Sequence, residues 1–260
     1  MLGSLYIVAT PIGNLSDMTS RAVQILGNVD LILAEDTRSA KKLLTHFDIK
    51  TSVRSYHQHS NEALKYEVLN MLLQGQDLAL ITDAGTPGIS DPGNELIDFL
   101  YNNSAPLGIS GLHSFEGPAG GGAASRLAAD MPTSRNSVAG DQIKIIPIPG
   151  VSAVSAVLSV CGFDVSRYIF IGFFPKRKAL KQLQNLRKLN YPFVYFDSPH
   201  RVIKNLEMVR EVFGEVRVLV GREMTKLYET HYRGQVGEVM SELCEMKVLK
   251  GEISVVVELK

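Results

Sequence analysis

Three short loops carry the residue types from which a ligand site is built. Residues 10–14 (TPIGN), 83–93 (DAGTPGISDPG) and 147–153 (PIPGVSA) each follow or close an apolar run and gather glycine, proline and small polar residues. Glycine opens backbone angles closed to other residues, proline fixes φ, and Asp or Asn bonds its own backbone, so such loops are rigid. At strand ends they cradle phosphates or adenosine ligands through peptide N–H groups. Tight αβ turns need the same residues, so both readings stand at this point. No GxxxxGK[ST] is present and no GxGxxG follows the first apolar run, which excludes a P-loop and leaves dinucleotide binding without a fingerprint.

A second group could move a proton: Glu35, Asp36, His57, His59 and Glu223. Histidine titrates near neutrality and a carboxylate only when burial raises it, whereas placement at a strand's end favours the carboxylates. Asp36 has a competing use as the cap of a helix starting at Thr37. A third group is basic: Arg38, Lys176, Arg177, Lys178, His200 and Arg201, with Lys41, Lys42, Lys181, Arg187 and Lys188 beside them. A solvated helix face is the ordinary reading of such a run; opposite an RNA the same charges become phosphate contacts. Tyr56 fits a buried position or a stacked base equally well.

These residues need elements to hold them. Apolar runs predict strands at 5–9, 29–34, 51–54, 78–81, 143–146, 169–173, 193–196, 217–220, 228–233 and 253–258, with helices at 19–26, 39–46, 62–73, 92–101, 152–161, 176–189, 202–213 and 235–244. Ser90 or Asp91 is expected to cap the helix whose first residue is Pro92. Strand and helix alternate through the first half, which argues a parallel sheet; a hairpin in the second half argues a mixed one. The expected architecture is two α/β domains, residues 1–150 and 163–260, joined by a helix over 151–162, with a ligand cleft between them. Residues 104–141 break the pattern, being mostly Gly, Ala, Ser and Pro without apolar period, and read as a mobile insertion between a helix and a strand.

The totals narrow the classes. Among 260 residues, 27 Lys and Arg balance 27 Asp and Glu, so there is no global polycation. Cys161 and Cys244 lie far apart and lack metal or redox spacing, so no metal is expected. The first residues lack the basic region of a signal peptide, and no apolar run approaches the ~20 residues of a membrane span, so a cytoplasmic protein away from membranes is expected.

Seven segments in fixed order, ATPIGNL (9–15), AEDTR (34–38), SYHQHSN (55–61), DAGTPGISDPG (83–93), PIPGVSA (147–153), SPHR (198–201) and REMTK (222–226), together resemble the small-subunit rRNA methyltransferase I family of the tetrapyrrole-methylase-like superfamily. The match spans nearly the whole chain outside 104–141; Val151 stands where the family often has proline, and the chain ends soon after its last strand. The resemblance implies transfer of a methyl group from S-adenosylmethionine to the ribose 2′-oxygen of a cytidine in the decoding region of 16S rRNA, within the small ribosomal subunit, by a homodimer. It places Pro11, Asp83, Ala84, Gly85, Thr86, Ser152, Ala153, Phe196 and Met224 beside the cofactor. For the proton, Asp36 and Glu223 are the expected catalytic carboxylates. A tetrapyrrole or protein methyltransferase of the same superfamily and a non-catalytic RNA-binding assembly factor are the rival readings.

Overall fold

The computed structural model describes residues 1–57, 60–103, 142–246 and 248–259. The expected insertion at 104–141 and the candidate base His59 lie outside them. The chain divides into two compact units, Met1–Val8, Ser20–Asp83 and Pro87–Pro149 in the first, and Ala9–Thr19, Ala84–Thr86 and Gly150–Lys260 in the second. Two stretches from the amino-terminal half, 9–19 and 84–86, therefore group with the second unit.

The first unit is built on five parallel strands, β1 (Ser4–Val8), β2 (Leu31–Ala34), β3 (Val53–Ser55), β4 (Leu78–Ile81) and β5 (Lys144–Ile148), in the order β3-β2-β4-β1-β5. Central β4 is LALI, buried at every position, as a strand covered on both faces must be. Helices α1 (Ser20–Asn28), α2 (Thr37–His46), α3 (Glu62–Leu73) and α4 (Asn94–Asn103) alternate with the strands. Val68, Leu69 and Leu72 of α3 and Leu96 and Leu100 of α4 join Leu5, Leu33, Leu78 and Leu80 in one core. Asn61 caps α3, its Oδ1 accepting from Leu64 N–H at 3.0 Å. The start of α4 departs from expectation: Pro92 is not its first residue, because Gly93 takes φ +140°, where a Cβ would come within 3.0 Å of Leu80 Cδ2, so helical geometry begins only at Asn94.

The second unit has the mixed sheet β6-β7-β10-β8-β9, from β6 (Ile169–Phe173), β7 (Phe193–Asp197), β8 (Arg217–Arg222), β9 (Thr230–Gln235) and β10 (Ile253–Val257). Only β6 and β7 are parallel; β7 with β10, β10 with β8, and β8 with β9 run antiparallel. Helices α5 (Ala153–Cys161), α6 (Ala179–Leu189), α7 (Val202–Phe213) and α8 (Val236–Glu245) cover it. Val154, Val157, Leu158 and Cys161 of α5 pack on Val194, Leu219 and Val256. The basic helix is shorter than expected, since Lys178 adopts φ +56° and leaves Lys176 and Arg177 ahead of α6.

One polar pair lies in this core. Asp197 is 6% exposed and Asn205 2% exposed, and Asn205 Nδ2 donates to both carboxylate oxygens at 3.0 and 2.8 Å. Burial pushes the Asp197 carboxyl up, and Asn205 pulls it back. Asn205→Leu strips the buried charge of these donors and is expected to cost about 2–3 kcal/mol in urea unfolding at neutral pH. The loss shrinks in acid, where Asp197 is neutral.

Candidate active site

All five strands of the first unit run the same way, so the residues that follow them collect at one sheet edge. Glu35 and Asp36 follow β2, His57 follows β3, and Asp83 follows β4, the neighbour of β2. Two strand ends are laced there. The Glu35 carboxylate accepts the Asp83 N–H, and the Asp83 carboxylate accepts the Asp36 N–H. Burial first, and then the Asp83 charge, raises Glu35; burial first, and then the Asp36 charge, raises Asp83. Asp83, partly shielded though still open to solvent, thus becomes a stronger base than an ordinary aspartate.

Asp36 is held in the opposite direction. Its Oδ1 caps α2 by accepting Arg38 N–H at 2.8 Å, and Arg38 Nη2 and Nε donate to its carboxylate at 2.7 and 3.1 Å. The guanidinium bonds bring its carboxyl down to about 2. Both expected uses of Arg38 and Asp36 are therefore turned toward each other, with Asp36 as the cap that the spacing allowed. Tyr56 is 3% exposed and packs in the core with Leu33 and Leu80, which removes it as a stacking surface.

In the second unit four of the resemblance segments meet. Thr10 and Gly85 form a two-way backbone bridge, N–H to O at 2.8 and 3.0 Å. Thr86 Oγ1 donates to the Val151 carbonyl at 3.2 Å, and Asn14 N–H donates to Thr225 Oγ1 at 3.2 Å. Gly85 holds φ +77°, a conformation that admits glycine and strains other residues. Pro11 is buried, and Ala84, Ser152 and Ala153 are partly buried. Ser152 occupies the N-cap position of α5, its carbonyl accepting the Ala156 N–H at 2.9 Å while its side chain makes no capping bond. Small residues, a glycine-held bridge and a helix start thus lie together in this unit.

Residues 222–226 are the strained part of this unit. Glu223 and Thr225 take φ +53° and +66°, unusual for residues with a side chain. Glu223 is clasped by Glu252: its N–H donates to the Glu252 carbonyl and its Oε1 accepts the Glu252 N–H, both at 2.9 Å, while Lys226 Nζ donates to the same oxygen at 2.9 Å. Burial pushes its carboxyl up, but the Glu252 N–H and Lys226 outweigh this and leave it lowered. Met224 is 8% exposed with its Sδ close against Gly221, while Phe196 is partly buried between Phe170 and Phe173 in a cluster of edge-to-face rings. Lys176, Arg177, Lys178 and His200 are exposed beyond β6 and β7; Arg201 Nη2 instead donates to the Phe174 carbonyl at 3.0 Å. Sequence reasoning did not single out Asp83 as a base or Thr225 as an anchor, because each depends on a partner that only the fold supplies.

The fold is shared with tetrapyrrole methylases. Residues 4–110 match the family model described as Tetrapyrrole (Corrin/Porphyrin) Methylases. Similar solved structures include the methyltransferase CobJ (TM-score 0.62, 14% identity, 99% of this chain and 94% of that one) and diphthine synthase (TM-score 0.64, 11% identity, 99% and 92%). Sequence relatives resolve the family further. Ribosomal RNA small subunit methyltransferase I of Thermotoga maritima is 36% identical over 98% of both chains, and that of Synechocystis is 38% identical over 98% of this chain and 79% of its own. The chain belongs to the ribosomal RNA small subunit methyltransferase I family, enzymes that draw their methyl group from S-adenosylmethionine. Among the described residues no helix is long and apolar enough to cross a membrane, and no His, Cys, Asp and Glu cluster fits a metal ion.

Proposed function

We propose that this protein methylates the ribose 2′-oxygen of a cytidine in the decoding region of 16S rRNA, acting on the small ribosomal subunit. The observation that carries this reading is 36% identity, over 98% of both chains, with a small-subunit rRNA methyltransferase. The cofactor, when bound, supplies an electrophilic methyl group on a sulfonium. The protein's task is then to hold acceptor and donor in line and to receive the hydroxyl proton. Thr10, Pro11, Ala84, Gly85, Thr86, Ser152 and Ala153 are the residues that hold the adenosyl group, by backbone and small side chains.

For the proton, the Glu35, Asp36 and Asp83 group supplies the acceptor, and Asp83 is its working member. Asp83 would accept the 2′-hydroxyl proton, and the cofactor would supply the methyl group to that oxygen. Asp36 keeps Arg38 in place and lifts Asp83 through its charge. Glu223 keeps the 222–226 turn in its strained form, its lone pairs engaged by Lys226 and Glu252. Lys176, Arg177, Lys178 and His200 contact phosphates, so charge-removing variants weaken RNA binding and flatten its salt dependence.

The decisive experiment is transfer of labelled methyl to small subunits lacking the modification, followed by mapping of the modified ribose. A labelled cytidine 2′-O-methyl group is expected. Label on a base, or on a tetrapyrrole or a protein instead, overturns the reading, and absence of S-adenosylmethionine binding in calorimetry points to an assembly factor.

A further inference from the structure

β6 does not run straight to its end. Ile169 and Phe170 face Phe193 and Val194 of β7, but the next paired residue, Phe173, faces Phe196, so β6 spends three steps where β7 spends two. The extra residue is accommodated at Gly172, whose φ of +67° few side chains tolerate. Strict alternation would send Phe170 and Phe173 to opposite faces. The bulge instead brings both rings to Phe196, with centroids 5.1 and 5.6 Å from it.

The result is an aromatic ring outside the core. Phe170 and Phe196 are partly buried, whereas Phe173 is 63% exposed. Its position is nevertheless fixed from the next residue: Phe174 is buried, its N–H donates to the Phe196 carbonyl at 2.8 Å, and its carbonyl accepts Arg201 Nη2 at 3.0 Å. Three to five residues later come Lys176, Arg177 and Lys178, all exposed, and His200 is exposed on the loop that follows β7. A lone exposed apolar side chain needs no explanation. This one is turned out by a glycine-dependent bulge, pinned by two hydrogen bonds of its neighbour, and followed by three cations.

We infer that Phe173 is a stacking platform for an unpaired base of the substrate RNA, with Lys176, Arg177 and Lys178 on the flanking phosphates. An aromatic face beside cations suits single-stranded RNA, because every base has a π-face and every linkage a negative charge. A preorganised ring gains more from stacking than a mobile one, since less order is lost on binding. This inference rests on the RNA reading above.

The test compares full-length parent, Phe173→Ala and Phe173→Trp proteins for binding to small ribosomal subunits lacking the modification, across a salt series. Phe173→Ala is expected to weaken binding about tenfold at every salt concentration, within the range that base stacking carries. Its slope of log affinity against log salt stays that of the parent, Phe173→Trp restores binding, and S-adenosylmethionine affinity is unchanged in all three. An Arg177→Gln control has the complementary signature, a flatter slope. Equal subunit binding by parent and Phe173→Ala overturns the inference and leaves the RNA reading intact, whereas a parent that neither binds nor methylates subunits overturns the RNA reading itself. A Phe173→Ala protein with weakened cofactor binding, or with altered sedimentation, assigns the ring to the cofactor pocket or to self-association and also overturns the inference.

Discussion

Asp83→Asn is expected to slow single-turnover methyl transfer by about a hundredfold or more, the lower end of what a positioned proton acceptor contributes. The carboxamide keeps the size of the side chain and can still accept the Asp36 N–H, so the loss reports basicity. The pH profile is the sharper reading. Burial and the Asp36 charge raise Asp83 above its ordinary 3.8, so activity rises with pH through that raised value. Asp36→Asn removes the like charge, and the acid limb moves to lower pH. A profile that does not move in Asp36→Asn, or an Asp83→Asn enzyme of normal rate, removes Asp83 from proton transfer. Linkage supplies a second check with its own sign. A carboxyl raised in the folded state is penalised when charged, so its contribution to stability falls as pH rises through the raised value, and Asp83→Asn is at least as stable as the parent at neutral pH. Calorimetry separates the other role that the resemblance implies for Asp83, since loss of cofactor affinity would place it in the ligand pocket.

Gly85→Val should weaken cofactor binding by at least about tenfold, with methyl transfer falling in parallel. A side chain in the left-handed region costs about 1–2 kcal/mol, and a β-branched one more. At φ +77° that strain falls on a residue whose N–H and carbonyl are both bonded to Thr10. The bridge is the least costly thing to give up, and with it goes the placement of residues 10–14. Alanine grades the effect. A Cβ at Gly85 would stand 3.5 Å from Ile12 Cγ2, ordinary contact, so Gly85→Ala carries only the backbone strain and should fall between parent and valine. Calorimetry with S-adenosylmethionine measures all three; parent-like affinity in Gly85→Val would show that this bridge is not part of the cofactor surface.

What could be read without the fold was set by neighbours in sequence. The apolar run LALI became β4 over Leu78–Ile81, the periodic run after Arg201 became α7 over Val202–Phe213, and Asn61 capped α3, because each depends on residues within a turn or two. The Asp36 cap belongs to the same class. Where positive φ intervened, boundaries moved: Gly93 delayed α4 and Lys178 delayed α6. Neither shift has a local signal, since glycine and lysine are both admissible in the first turn of a helix.

The loops with which the sequence begins its chemistry show the division best. Residue types and order alone marked 10–14, 83–93 and 147–153 as rigid loops and the chain as a methyltransferase relative. Only the tertiary structure paired Thr10 with Gly85 and tied Asn14 to Thr225, 211 residues away, which gathers 9–19 and 84–86 with the carboxyl-terminal sheet. It also clasped Glu223 with Glu252 and laced Asp83 to Glu35 and Asp36, leaving Asp83 exposed and raised. Local sequence determines which backbone angles and charges are available at a position. Which of them are neutralised, buried or strained depends on partners brought from elsewhere in the chain.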